Sequence, residues 1–557
     1  MIREALKAIL AAALNTVAHD DDSGVLSGAD IELTDPPSAD MGDFSTNLAL
    51  VYATKAGMSP RDLAGKIVDA VEPGELAIDR LEVAGPGFIN IFLNDDWLYE
   101  TIAEILQTQE EYGRRDLGEG RRMQVEFVSA NPVGPIHIGN ARGAPYGDVV
   151  ASMLEALGYE VEREYYVNDG PNNTQALKFG RSVRARYLQA LGHDAQLPED
   201  GYRGDYVTEM GQQLAEDAGG KYADLPDDDE TAYIFFQLME EDIVKQARED
   251  LSDFGIEYDV WFTEQSLYDT GAVAEEIESL REMDMAYDKD GAVWLKTEEF
   301  GDDQDRVLVR SNGNPTYIAS DAAYAANKFS RGFDHLIYVF GPDHAGYVPR
   351  LRAVLAACGF ELDRVEMIVH QTVRLQRGGE PVKLAKREGK IYSVRDLIEE
   401  VGADAARFFF LMRSIESHLD FDLELAKRQT EENPVYYVQY AHARICSIER
   451  QAEETGFDFA ESPNLTLLTE DAEKILMRKL ADYPHELQEA AAERAPHRLT
   501  NYLRELTQTF HQFYTHCQVL DADDTKTSTA RMALCEATRQ VIRNCLHILG
   551  ISAPKRM

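Results

Sequence analysis

Apolar residues in the opening stretch, MIREALKAILAAALNTV, fall at helical spacing, which predicts an amphipathic helix and no cleaved export signal. Short apolar runs bounded by glycine follow, GDFSTNLAL at 42–50 and GPGFINIFL at 85–93, and predict the strands and turns of a small α+β module over 1–112. A linker of mixed charge, EEYGRRDLGEGRR, separates it from a compact apolar run at 123–128 whose Val and Phe content predicts a buried strand and the start of a new domain. Helix-like and strand-like segments then alternate: a helix at 148–157 and strands at 159–167, His335–Phe340 and Val365–Val369. Such alternation predicts a parallel sheet. The interval 178–310 is polar and helix-rich and reads as one insertion into this domain, which spans 113–425. Within it Asp290-Gly291 is a hairpin signal. Asp288, Asp290 and Gly291 lack the later acidic ligands of a calcium loop, so a plain turn is expected there. From about residue 433 glycine and strand signals thin out, and amphipathic segments such as Pro434–Thr455 and 530–549 predict an all-helical bundle over 426–557.

Length and composition narrow the classes. A chain of 557 residues exceeds one core and suits three or four domains. No apolar run approaches the roughly 20 residues of a membrane span, so a cytoplasmic protein with no membrane contact is expected. Cys358, Cys446, Cys517, Cys535 and Cys545 are scattered, without a CxxC pair, and read as reduced core thiols. His511, His516 and Cys517 lack a metal-ligand spacing, and no metal site is assigned. Charge changes the picture more: 99 acidic residues against 55 basic ones give a net charge of −44. Acid in that amount ordinarily excludes a polyanionic partner. At about 1 M salt, however, the screening length falls to roughly 3 Å, and an acidic surface no longer repels nucleic acid at a distance. The composition therefore reads as adaptation to molar salt, in which RNA recognition leans on stacking and shape.

Two segments carry the chemistry. In VEFVSANPVGPIHIGNARG, residues 125–143, a strand runs through a Pro/Gly loop into a helix start, a geometry suited to phosphate. There Gly139 permits close approach of a nucleotide to the backbone, and His137 can donate to an α-phosphate oxygen. In RGGEPVKLAKREGK, residues 377–390, a glycine-bearing basic loop follows a strand in an otherwise acidic chain. Its Lys383 and Lys386 suit the β- and γ-phosphates of ATP, stabilising charge on departing pyrophosphate. Each segment alone also fits an ordinary turn or solvated loop.

Together and in this order they resemble the HIGH and KMSKS signatures of class I aminoacyl-tRNA synthetases. GDFSTNLA, GPGFIN, SANPVGPIHIGN, RVLVRSNGNPTY and YVQYAHARI are similar to arginyl-tRNA synthetase segments and spread over nearly the whole chain. The resemblance implies a Rossmann-like catalytic core between an N-terminal α+β tRNA-binding domain and a C-terminal anticodon-binding bundle. It implies a monomer that uses Mg·ATP to activate L-arginine and charges tRNA(Arg). His137 and Gly139 match HIGH, with Asn140 at its last position, and Pro135 joins them in the ATP site. Lys383 and Lys386 match the KMSKS lysines, whereas Leu384 and Ala385 replace Met and Ser.

A guanidinium is best read by a carboxylate in bidentate geometry. Tyr317 and Asp321 sit four apart, on one face of a helix, and Asp321 is the expected guanidinium partner. The resemblance adds Ser129 and Asn131 for the amino-acid backbone, Glu126 as a pocket carboxylate and His344 where relatives often carry glutamine. Tyr437, Tyr440 and Met557 are candidates for stacking on anticodon bases. Three other readings stay open on the residues alone: another class I synthetase, a nucleotidylyltransferase-type adenylating ligase, and a non-catalytic RNA-binding paralogue.

Overall fold

The computed structural model describes residues 2–17, 28, 31–36, 38, 41–72, 74, 76–382, 392–459 and 462–557. It divides into two compact units, one of 1–110, 450–482 and 509–540, the other of 111–449, 483–508 and 541–557. One division falls between residues 110 and 111, and helices Pro434–Thr455, Asp471–Ala492, Pro496–His516 and Thr525–Ile548 each contribute to both units. Among the described residues no helix is long and apolar enough to cross a membrane. All five cysteines are buried thiols.

In the first unit, β1 (Phe44–Thr46), β2 (Ile78–Ala84) and β3 (Phe88–Leu93) form an antiparallel sheet in the order β1-β3-β2. Its apolar face packs on helix Ile2–Val17, whose Leu6, Leu10 and Leu14 are buried at the spacing of one helical face. Ser59 caps helix Pro60–Ala70 by accepting from the Asp62 N–H at 3.2 Å, and proline at the first helical position fixes its start.

In the second unit the chain forms β4 (Arg122–Phe127), β5 (Glu160–Val167) and β6 (Val260–Thr263). It continues through the antiparallel strands β7 (Ala286–Lys289), β8 (Ala292–Leu295) and β9 (Arg306–Val309) to β10 (His335–Phe340) and β11 (Val365–Val369). A second small sheet holds β12 (Val373–Arg377), β13 (Glu380–Pro381) and β14 (Leu419–Asp422). The central sheet is five-stranded and wholly parallel, in the order β11-β10-β4-β5-β6. The interval 178–310 is therefore not one insertion. The strand β6 lies inside it and completes the sheet, so helices Thr174–Ala190, Asp205–Ala218 and Asp229–Asp253 form one excursion and β7–β9 another. With only four residues at a sheet edge, β6 is too short to show a period in the sequence. The β7–β8 hairpin does turn at Asp290-Gly291, both left-handed (φ 54° and 77°).

The helix expected at 148–157 starts earlier, as Gly143–Ala156 after a short helix Ile138–Ala141. Pro145 falls in its first turn, where a missing N–H costs nothing, so the break comes at Arg142 rather than as a kink at the proline. Arg407, buried on helix Ala403–Leu411, knits this unit together. It donates to the carbonyls of Leu549 (3.0 Å), Phe254 (3.1 Å) and Gly255 (3.2 Å) and pairs with Asp148. Gly550 (φ 65°) admits it: a Cβ there would stand 2.1 Å from the guanidinium.

The middle strand is covered on both faces, yet it carries Glu126. Lys328, fully buried, places its ammonium 2.5 Å from Glu126 Oε2 and 3.8 Å from Glu164 on β5, with the Tyr324 and Tyr338 rings within 4.4 Å. Arg331 NH1 binds Glu164 at 2.6 Å and Glu162 at 3.0 Å, closing the network. Replacing Lys328 by Met leaves the buried Glu126 carboxylate without a cation, while Glu164 keeps Arg331, and costs about 3–5 kcal/mol. The loss is read as a lower urea midpoint at constant slope; an unchanged midpoint would show the network adds nothing.

Candidate active site at the carboxyl edge of the parallel sheet

Strand order reverses between β4 and β10, the position where open α/β sheets form a crevice beyond their carboxyl ends. The chain leaves β4 through two left-handed residues, Val128 (φ 69°) and Ser129 (φ 40°). For a β-branched residue this is a strained conformation, held only by its surroundings. Here the Ser129 hydroxyl donates to Glu126 Oε1 at 3.0 Å and accepts from the Tyr166 N–H at 3.2 Å. Ala130 shares two 3.1 Å hydrogen bonds with the Tyr165 hydroxyl. Asn131 follows, donating to Gln175 Oε1 at 3.2 Å and accepting from Asn173 at 3.1 Å.

The loop then pairs with a distant segment. The Ile138 N–H donates to the Tyr392 carbonyl at 3.0 Å, and the Val394 N–H to the Ile136 carbonyl at 2.8 Å, with His137 opposite Ser393. Exposed His137 caps the short helix: its Nδ1 accepts from the Gly139 N–H at 2.9 Å. In the neutral ring the proton is thereby on Nε2, the nitrogen that can donate. A Cβ at Gly139 would stand 2.5 Å from the His137 ring, so a larger residue there displaces the ring from its capping position. The Asn140 N–H donates to the His137 carbonyl at 2.9 Å, and Pro135 is half-buried in the same loop. Lys383 and Lys386 lie outside the described residues. Their flanks are placed: Val382 bonds Leu375 at 2.9 Å, and Tyr392 is the partner of Ile138.

Two residues behind this loop escaped the sequence reading. Arg142 is fully buried and donates to the carbonyls of Gln371, Arg413, Ser414 and Ser417 at 2.5–3.4 Å. Burial without a carboxylate lowers it to about 10. His370, after β11, packs beside Gly143, and burial lowers it to about 4, so it is neutral. Arginine and histidine carry no local spacing signal here, because their partners come from segments far along the chain.

Helix Tyr317–Ser330 brings Tyr317 and Asp321 to one face, as their spacing requires. The Tyr347 hydroxyl donates to Asp321 Oδ2, and Arg350 donates to the Tyr317 hydroxyl at 2.8 Å. Burial pushes Asp321 up to about 7, with Glu264 and Glu126 adding to the rise and Tyr347 opposing it. Glu264, after β6, is also raised by burial while hydrogen-bonded to Ser320 and Gly170. His344 lies stacked on Phe340 with ring centres 5.4 Å apart. Glu126 differs from expectation: its carboxylate is engaged by Lys328, Tyr324 and Ser129 rather than standing open as a pocket anion. A carboxylate on a doubly covered strand must be neutralised within the fold.

Of the aromatic candidates, Tyr440 is exposed, stacks on Tyr436 at 6.2 Å and accepts from Arg444 at 2.8 Å. Tyr437 lines a groove with Pro434, Asn501 and Arg504. Gln439 donates to the Ser552 carbonyl at 3.0 Å and His442 Nδ1 stands 2.9 Å from that of Pro554, so the tail that ends in exposed Met557 is tied to the helix bearing Tyr440.

Three family models cover the chain: the arginyl tRNA synthetase N-terminal domain at 2–93, the class I (R) tRNA synthetase catalytic domain at 101–410 and the DALR anticodon-binding domain at 438–557. The arginine–tRNA ligase of Caldanaerobacter subterraneus is 48% identical over 558 residues, covering 100% of this chain and 99% of its own. The chain belongs to the arginyl-tRNA synthetases. An arginyl-tRNA synthetase structure from Campylobacter jejuni matches at 30% identity and TM-score 0.74, over 84% of this chain and all of that one. The Thermus thermophilus arginyl-tRNA synthetase shares the fold over the full length of both chains, at 21% identity and TM-score 0.77. The arginyl-tRNA synthetase catalytic model contains His137, Gly139, Asn140, Asp321 and His344, and the anticodon model contains Tyr440 and Met557 but starts just after Tyr437.

Burial pushes Asp321 up to about 7, so a guanidinium paired with it would bind with a pH dependence in this range. A cation needs the ionised carboxylate, so affinity measured by calorimetry falls as pH drops through about 7, approaching tenfold per unit below it. A flat profile would place the guanidinium elsewhere.

Proposed function

We propose that the chain activates L-arginine with ATP and transfers it to tRNA(Arg) at the crevice beyond β4 and β10. The observation that carries this reading is the pairing of the His137 loop with the far flank of the basic loop, beside the half-buried Asp321 carboxylate of the same unit. Asp321 pairs with the guanidinium, with Tyr317 on the same helix face and His344 at the rim. Ser129 and Asn131 hold the amino-acid backbone, and Glu126 acts through the Ser129 it anchors.

The arginine carboxylate attacks the α-phosphorus of ATP and pyrophosphate leaves. His137 Nε2–H donates to the α-phosphate, with Pro135, Gly139 and Asn140 lining the nucleotide side, and Lys383 and Lys386 take charge on the departing phosphates. The terminal ribose hydroxyl of tRNA then attacks the arginyl carbonyl, releasing AMP. No side-chain nucleophile is needed. Magnesium enters on the ATP phosphates as part of the substrate. Unpaired polar groups left by a wrong amino acid reject it without an editing site.

For tRNA, 1–112 serves as the additional binding domain and 426–557 as the anticodon reader, with Tyr437, Tyr440 and Met557 as base contacts. Exposure of Tyr440 and Met557 supports this. The enzyme acts as a cytoplasmic monomer. Offering each of the twenty amino acids with matched tRNA tests the reading: charging with arginine alone is expected, and Asp321→Asn abolishes it. Charging by another amino acid would remove the pocket assignment.

The net charge of −44 supports a halophilic setting. Self-repulsion weakens the compact state until salt screens it. The melting temperature is therefore expected to climb by more than about 10 °C between about 0.1 and 2 M KCl; a flat or falling curve would exclude salt adaptation.

A further inference from the structure

We propose that Tyr347 is the positioning residue of the arginine pocket: its phenol O–H fixes the plane of the Asp321 carboxylate and holds it in the anionic form a guanidinium needs. The inference rests on the assignment of Asp321 as the guanidinium partner.

The Tyr347 backbone is fixed at both ends. Its N–H donates to the His344 carbonyl at 2.8 Å, and its own carbonyl accepts from the Leu351 N–H at 3.0 Å, at the start of helix Val348–Ala357. The ring packs against Tyr317 with centres 5.9 Å apart, and the Arg350 guanidinium lies 5.9 Å from it. Arg350 is in turn engaged by the Tyr317 hydroxyl. A ring held in this way leaves its hydroxyl little freedom, and its single proton is committed to Asp321 Oδ2.

The groups that face Asp321 make that proton decisive. Glu264 beyond β6 and Glu126 on β4 both oppose a negative charge there. Tyr166 on β5, Tyr268 on helix Gln265–Asp269 and Tyr338 on β10 also lie near it, and burial keeps all three phenols neutral. No described cation pairs with Asp321, so among the described residues the Tyr347 hydroxyl is the contact that favours the charged form. It does so without consuming the acceptor sites. Oδ2 keeps a second lone pair and Oδ1 accepts from no described residue, so both oxygens remain open to a bidentate guanidinium.

The test compares the parent enzyme, Tyr347→Phe and Asp321→Asn in tRNA charging, with kcat and KM for arginine measured from about pH 6 to about pH 9.5. Loss of a hydrogen bond to a charged acceptor moves the inflection of kcat/KM upward by about one pH unit in Tyr347→Phe. At neutral pH the KM for arginine rises about tenfold, the loss falls on KM rather than kcat, and it recovers at the alkaline end. The KM for ATP is unchanged. If Tyr347→Phe keeps the parental inflection while Asp321→Asn loses arginine use, Tyr347 has no such role and the pocket assignment stands. A uniform fall in kcat at every pH, with no shift, also overturns it, because that is the mark of lost packing. If Asp321→Asn charges like the parent, the pocket assignment itself falls.

Discussion

A carboxylate on the middle strand of a sheet covered on both faces is the constraint around which the active edge is organised. Glu126 is almost wholly buried, so its charge must be met inside the fold. Lys328 meets it from the helix that also bears Asp321, which fixes that helix against β4 and β5. The same carboxylate accepts from Ser129 and so holds the left-handed exit from the strand. One buried ion pair thus sets both the height of the helix that bears Asp321 and the path of the loop that leads to His137.

Asp321 obeys the opposite rule. It is half-buried near two other carboxylates and pairs with no described cation, an arrangement that stability alone would not select. Under the proposed assignment a cationic substrate supplies the countercharge, and the fold departs from self-sufficiency at the position proposed to meet it.

Much of this was legible in the chain. The strands β4, β10 and β11 announce themselves as short, largely apolar runs, whereas β5 carries Glu160, Glu162, Arg163 and Glu164 and shows its apolar character only in its second half. The spacing of Tyr317 and Asp321 gives a shared helix face with no further information. What stayed hidden depends on residues distant in sequence. The strand β6 is four residues long and sits amid helices. Arg142, Lys328 and Tyr347 acquire meaning only from carbonyls, carboxylates and rings that the fold gathers from elsewhere. Glu126 illustrates the converse. Its position was visible as part of the pocket wall, but its engagement by Lys328, 202 positions later, was not. The lysines of the basic loop fall outside the described residues, so only the strand ends that frame them are placed.

The unit that holds the active edge is discontinuous, and Arg407 shows what that entails. Its guanidinium joins Asp148, on the helix that follows the His137 loop, to the carbonyl of Leu549. Residues 541–557 leave the ribosome after everything else in that unit. Until they are added, Arg407 lacks the Leu549 acceptor, so this junction closes only after the earlier segments of the unit have been synthesised.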